Sequence, residues 1–484
     1  MTADTGGTGP AGTAMIEVTG IDTPALGDRS YLATDGQVAM VVDPQRDIDR
    51  VLAAAASRGV RITHVFETHI HNDYVSGGLA LARVTGASYH VNAADAVGFD
   101  RVPVREGDTL GVGDTMTVRV LATPGHTFTH LSYVLQDAPA GRVAAVFTGG
   151  SLLYGSTGRP DLLGPAHRAT LAAAQYASAG RLASELPDDT PVWPTHGFGS
   201  FCTASPGSAA QGSAAPGPGR TSTIGQEKLA NPVLRLAEHE YVTELLAGLD
   251  AYPAYYAHMA PANAAGAGPI GLAPPAVASP AQVAARIGAG EWVVDLRSRR
   301  AFAAGHVTGS LCFEHGTDFT NYLGWLIPWG TPLTLLGETP DQVATAQRDL
   351  ARIGIDRLAG AASGDPREWA GHQPLSSFPV ATFAGLAAAR QHRPVIVLDV
   401  RRRLEWADGH LDGALHIPLP DLPDRLGEVP RAEVWVHCRS GYRAAIAASL
   451  LQAAGRTVVS VDDDFSRAGP AGLRVVTGPA GRGA

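Results

Sequence analysis

From about residue 15 to residue 200 the chain alternates short apolar runs with stretches whose apolar positions recur at helical spacing. SYLAT and AMVVD predict strands, DIDRVLAAAASRG predicts a helix, and THVFETH predicts a strand running into a loop. Strands alternating with helices are α/β material. The first 14 residues have no such pattern and are expected to be a disordered tail. TASPGSAAQGSAAPGPGRTS, at 203–222, predicts a flexible loop inside a first domain that runs from 15 to 262 and includes the helical run LRLAEHEYVTELLAGL. An Ala/Pro/Gly-rich segment at 263–278 predicts a linker.

After the linker the pattern repeats. VVDLRSRRAFAAGHVTGSLCF, from Val293, returns as VLDVRRRLEWADGHLDGALHI, from Val397, without a gap. Asp295 matches Asp399, Arg297 matches Arg401, His306 matches His410 and Gly309 matches Gly413. Each copy places an apolar strand ending in Asp-x-Arg before a short helix, a Gly-His turn and another strand, which predicts two small parallel-sheet α/β domains at 279–372 and 376–476.

Length agrees with this division, since 484 residues exceed what one core holds. Hydrophobic residues at 45% and charged residues at 17% are ordinary globular values, so disorder is expected only locally. A net charge of -9, with arginines scattered among acids, argues against nucleic acid. The chain begins without a basic then apolar leader and has no run of about 18 apolar residues, which excludes a membrane span and points to the cytoplasm. Its three cysteines, Cys202, Cys312 and Cys438, fall in three separate regions and suggest chemistry, not a disulfide framework.

The clearest chemical motif is CRSGYR, Cys438 to Arg443, between the apolar strand EVWVH and the helical AAIAASLLQAAG. Backbone N–H groups of Arg439, Ser440, Gly441 and Tyr442 at a helix N-terminus form an anion cradle, and Arg439 and Arg443 add positive charge. Such a loop stabilises Cys438 as a nucleophile and suits a persulfide or a sulfur oxyanion. Aligning strand ends in the first copy puts Gly337 opposite Cys438 and Gln342 opposite Arg443, so that copy has no nucleophile. Cys312 is expected to be a small core residue.

The second cluster is histidine-rich. HIHNDYVSGG presents His69, His71 and Asp73 at alternate positions after a strand, TPGHTFTH carries His126, and WPTHGFGSFC carries His196. Imidazoles and a carboxylate gathered at strand ends suit a divalent cation. Asp73, His196 and Cys202 are candidates for the wall of the same pocket.

Residues 376 to 475 resemble the rhodanese family in Asp399-x-Arg401, Glu405, Gly409-His410, Gly413-Ala414, His416-Ile417-Pro418 and the Cys-x-x-Gly-x-Arg loop. That resemblance implies sulfur transfer at Cys438, from thiosulfate or a persulfide to a second thiol or to sulfite. A phosphatase loop would need two more residues. Residues 15 to 260 resemble the metallo-β-lactamase fold, an αββα sandwich, and within it the persulfide dioxygenases fused to rhodanese domains. They do so in THIHNDYVSGG, TPGHT, FTGGSLLYGSTGRPDLLG, PTHGFGSFC and STIGQEKLANP. The resemblance implies iron held at the positions of His69 and His126 plus an aspartate, and oxidation of a low-molecular-weight thiol persulfide to sulfite. The first repeat, which matches the rhodanese-like second copy but has Gly337 in place of its cysteine, is expected to be an inactive rhodanese. The chain departs from that pattern at Gly150, which stands where the family carries the aspartate, and at Tyr74, where two-metal hydrolases of this fold carry a histidine. Without that aspartate the resemblance leaves His69, His71 and His126 as the candidate ligands of a mononuclear site, zinc stays open beside iron, and two rival functions stay open: a glyoxalase-II-type thioester hydrolase and a non-oxygenase sulfane-sulfur carrier. A homo-oligomer is also left open.

Overall fold

The alternating first half folds into two six-stranded sheets stacked face to face. In this computed structural model, which describes residues 16–204 and 221–478, one sheet takes its strands in chain order from Glu17–Thr23 to Val102–Val104. The other holds Thr109–Val112, Met116–Ala122, Leu131–Asp137, Arg142–Gly149, Pro191–Pro194 and Ser222–Thr223. Alternate side chains meet between the sheets, where Tyr31, Met40, Phe66, Val118, Val120, Tyr133 and Phe147 are buried. Helices Asp49–Arg58 and Gly78–Thr85 cover the first sheet with Val51, Ala55, Leu79 and Leu81. Helices Arg168–Glu185 and Glu238–Ala247 cover the second with Ala172, Ala179, Leu182, Tyr241 and Leu245. The result is the expected four-layer α/β sandwich.

The two repeats build the same parallel sheet. In the first, strands run in the order Leu311–Cys312, Trp292–Asp295, Leu333–Gly337, Leu358–Ser363, and Val277 bridges Ala361 in parallel at the edge. In the second the order is Leu415–His416, Ile396–Asp399, Val434–His437, Val458–Val461, Val380–Ala381. The matched residues make matched contacts. Arg297 clasps Asp295 and donates to the Gly305 carbonyl at 2.8 Å; Arg401 clasps Asp399 and donates to the Gly409 carbonyl at 2.7 Å. His306 stacks on Phe302 and pairs through Nδ1 with its carbonyl oxygen, as His410 does with Trp406.

Several expected boundaries move. The tail at 1–14 and most of the 203–222 loop lie outside the described residues, but the loop's margins are strands: Thr203–Ala204 pairs with Thr157–Gly158, and Ser222–Thr223 with Pro191–Val192. The run at 234–249 is broken into helices Pro232–Arg235 and Glu238–Ala247. Helix Tyr256–Ala265 enters the expected linker, because Asn263 is buried and fully used: it donates to the carbonyls of His71 and Tyr74 and accepts from the Ser76 N–H. Leu375–Ser376 pairs with His306–Val307 of the first repeat, so the second copy begins near Val380 and not at 376.

These units are not beads on a string. One apolar cluster runs from Tyr74, Val75, Tyr255 and Met259 through Phe313, Phe319 and Leu323 to Ile417, Cys438 and Ile446. Polar contacts tie the same seam: Asp47 pairs with Arg352 at 2.6 Å, Val75 N–H donates to the Arg352 carbonyl at 2.7 Å, and Asn321 donates to the Ala25 carbonyl at 2.9 Å. Among the described residues no helix is long and apolar enough to cross a membrane.

Replacing Asn263 with Ala strands three backbone groups, and is expected to destabilise the fold by about 2–4 kcal/mol in urea unfolding. His90 gives a pH signature. It is buried, stacks on both His64 and Phe66, and has no hydrogen-bond partner among the described residues at either ring nitrogen. Burial, reinforced by His64, pulls its pKa down to about 4, below the roughly 6.5 of an unfolded histidine. The unfolded chain therefore takes the proton first, so the stability His90 contributes is complete above about pH 6.5 and drains away toward pH 4. His90→Phe is expected to flatten the fall of the urea midpoint across that window.

Candidate metal centre and sulfur-transfer loop

The histidine cluster forms where strand ends of both sheets converge. Asp43 closes strand Val38–Val42 with φ at +50°, the one non-glycine residue with positive φ among the described residues. Its carboxylate accepts from the Thr68 N–H and Oγ1, both at 2.7 Å, and from Thr195 Oγ1. Three donors from two loops offset the backbone strain and fix the loops that carry His69 and His196. Second contacts then orient the rings. His69 Nδ1 meets Thr68 Oγ1 at 2.9 Å and His126 Nδ1 meets the Arg159 carbonyl at 2.9 Å, which turns both Nε2 atoms toward a common space.

In that space the predicted trio is divided. Ligand atoms of His69, His126 and His196 lie within 4.8 Å of one another, and His71 joins Asp73 and His196 in a second group of the same span. His196, expected only on the pocket wall, is common to both. His71 Nε2 is engaged on its far side, 2.9 Å from Tyr74 Oη, 3.3 Å from Asp43 and 3.2 Å from Glu67, while its Nδ1 has no partner among the described residues. The same is true of His126 Nε2 and Asp73 Oδ1, which are buried without partners among the described residues. Buried polar atoms left open on two imidazoles and a carboxylate fit a divalent cation.

Electrostatics sort these groups. Burial and the neighbouring imidazoles hold His69 far below the usual histidine range and His126 down at about 3, so both are neutral, the form that ligates. Burial opposes charge on His196 too, but Asp73 and Asp28 outweigh it and raise its pKa, with Nδ1 at 2.9 Å from Asp28 and 3.2 Å from Asp73. His71 is raised to about 9, because Asp43 and Glu67 overcome its burial. To face a divalent cation, His71 and His196 would each give up the proton on the ring nitrogen turned toward it. Asp28, Asp43 and Glu67 lie outside the set the sequence points to; Asp43 and Glu67 each carry one local signal, a carboxylate just past a strand end, and Glu67 alone adjoins the histidine motif.

Gly150 leaves no room for the aspartate the family pattern calls for. A β-carbon there would overlap the His126 ring, and the Gly150 N–H donates to His130 Nε2 at 2.9 Å. The carboxylate of Asp161, in the nearby GRPDLL segment, is engaged elsewhere, since Arg159 holds both of its oxygens, at 2.7 and 2.8 Å. Cys202 is buried, with Sγ 3.7 Å from Tyr256 Oη, and burial pushes its thiol well up, so it is neutral.

In the second repeat, strand Val434–His437 delivers Cys438 to the N-terminal end of helix Tyr442–Ala453. Gly441, at φ +94°, aims its N–H at Cys438 Sγ, 3.2 Å away. Any β-carbon at Gly441 would overlap the Asp462 carboxylate. Arg443 does not act as a free charge: Glu405 takes both its terminal nitrogens, at 2.5 and 2.7 Å. Burial works against the Glu405 carboxylate, but Arg443 outweighs it and holds it at about 2. Arg439 and Ser440 lie exposed at the mouth, and Tyr442 Oη donates to the Glu314 carbonyl of the first repeat at 3.1 Å. In the first repeat Asp295 opposes Leu336 as Asp399 opposes His437, so Gly337 occupies the place of Cys438. Gln342 fills the loop, donating to the Leu296 carbonyl and accepting from the Glu338 N–H. Cys312 is buried on its strand, as expected of a core residue.

The metallo-beta-lactamase superfamily matches residues 25–196, and the rhodanese-like domain family matches residues 383–467. A hydroxyacylglutathione hydrolase of Synechococcus sp. is 33% identical over 184 residues, 36% of this chain and 67% of that protein. Across other hydroxyacylglutathione hydrolases the chain spans about half of their length, 57%, 49% and 57%. A solved metallo-beta-lactamase from Staphylococcus aureus subsp. aureus COL is 29% identical, with a TM-score of 0.62, covering 72% of this chain and 100% of that one. ETHE1 from Myxococcus xanthus is 30% identical, covering 51% of this chain and 98% of its own, with a TM-score of 0.42. The chain belongs to the metallo-beta-lactamase superfamily, and its superfamily domain is followed by a rhodanese-like domain.

Proposed function

We propose that this chain is a sulfur-metabolism enzyme that handles sulfane sulfur, with Cys438 as the acceptor and donor of a transferable sulfur atom. The observation that carries this is the Gly441 N–H directed at Cys438 Sγ from a helix N-terminus. In the forward step the Cys438 thiolate attacks the outer sulfur of thiosulfate; a new S–S bond forms, the bond to the sulfonate breaks, and sulfite leaves with the electron pair. A second thiolate or sulfite then takes the outer sulfur and returns Cys438 as thiolate. The Arg443–Glu405 pair fixes the loop, and the exposed Arg439 meets the incoming anion. The first repeat is an inactive rhodanese-like copy.

The metal-facing half of the reading is oxidation of a thiol persulfide: persulfide, dioxygen and water give thiol, sulfite and two protons. His69, His126 and His196 would hold a divalent cation, with His71 and Asp73 beside it. Iron held there supplies redox chemistry toward dioxygen, and zinc supplies a Lewis acid. The chain's own part is to keep His69 and His126 neutral and to hold the His196 Nδ1 proton between Asp28 and Asp73. The second reading, thioester hydrolysis, is favoured by the hydroxyacylglutathione hydrolases among the relatives.

Protein purified without oxygen is to be assayed for metal, then for oxygen uptake with glutathione or coenzyme A persulfide. Stoichiometric iron without oxygen uptake would sink the oxidation half, and thioester hydrolysis with zinc would favour the second reading. Thiosulfate is expected to add the mass of one sulfur to Cys438, and Cys438→Ser to lose sulfur transfer to background while keeping its metal. Gly150→Asp is expected to lower metal content, because the new side chain displaces His126.

A further inference from the structure

The sulfur-transfer loop has an acidic neighbour. Asp462 follows strand Val458–Val461, is nearly buried, and packs so closely on Gly441 that no β-carbon fits between them. The same segment is tied to the loop by Phe465 N–H donating to the Arg439 carbonyl at 2.8 Å. A carboxylate in this position repels the anions the loop is built to hold. Its counter-charges come from the other repeat: Arg299 Nε lies 2.8 Å from Asp462 Oδ1 and Arg300 Nε 2.6 Å from Oδ2. Arg299 also pairs with Glu314 at 2.7 Å, whose carbonyl receives the Tyr442 hydroxyl. Helix Arg299–Ala304, in the copy without a nucleophile, thus reaches through Asp462 to the loop that carries the nucleophile of its sister.

We propose that Arg299 and Arg300 of the first repeat are positioning residues for sulfur transfer, neutralising Asp462 so that the Cys438 loop accepts an anionic sulfur donor. This rests on the sulfur-transfer reading of Cys438, but the local potential it invokes is measurable without that reaction. Iodoacetate and iodoacetamide both alkylate a thiolate with loss of iodide and differ in charge, so their rate ratio at Cys438, followed by peptide mass mapping, reports the charge the loop presents.

In the Arg299→Ala/Arg300→Ala double variant the iodoacetate-to-iodoacetamide ratio is expected to fall about threefold to tenfold, with KM for thiosulfate rising by a similar factor and kcat nearly unchanged. Adding Asp462→Asn to that variant is expected to restore both, which a loss of packing alone would not allow. Asp462→Asn in the otherwise unchanged protein leaves two arginines unopposed and is expected to raise the ratio above wild type; it also serves if the double variant fails to fold. An unchanged ratio in the double variant or in Asp462→Asn, or no restoration in the triple, overturns the proposal. If the ratios behave as expected while wild-type Cys438 takes no sulfur from thiosulfate, the sulfur-transfer reading fails and the electrostatic one stands.

Discussion

A buried charge is tolerated only beside its opposite, and the pocket at the strand ends is organised around that constraint. His196 lies between Asp28 and Asp73, and His71 lies against Asp43 and Glu67. His69 and His126, which form no ion pair among the described residues, stay neutral. The pairing also organises the backbone. Asp43 holds the Thr68 and Thr195 loops together at a strained φ, and Asn263 satisfies the carbonyls that the His71 loop leaves open. The first repeat completes this arrangement from outside, since Arg352 meets Asp47 and its carbonyl caps the Val75 N–H.

Much of this was legible in the chain because its cause is local. Alternating side chains mark strands whatever they pack against, so the sandwich strands and the repeat strands were readable. The Asp-x-Arg register of the repeats also carried its own geometry, and Gly337 falls where strand alignment put it, opposite Cys438. What was not legible depends on partners distant in sequence. Asn263 sits in a stretch that reads as linker, and only the backbone of residues 71 to 76, folded against it, makes it a helix residue. His196 reads as one more loop histidine until Asp28, 168 residues away, is brought to its Nδ1. Arg443 reads as a positive charge for the thiol loop until Glu405 claims it.

The continuous core also changes what a domain means in this molecule. Cys438 belongs to the same apolar cluster as Tyr74 and Cys202 of the first domain, with Phe313, Phe319 and Leu323 of the first repeat between them. Repeat boundaries are therefore boundaries of sequence pattern and sheet topology more than of packing.

The twin sheets offer one more consequence, because they place a comparison inside a single molecule. Both copies keep the clasp of Arg on Asp, the histidine stacked on an aromatic ring and the turn after it, so these belong to what the architecture demands. Cys438, the glycine turned toward its sulfur and the Arg443–Glu405 pair occur in one copy alone, so the architecture stands without them. The chain thus carries its own control experiment: two castings from one mould, one with the reactive parts and one without, separating what makes the fold from what makes the chemistry.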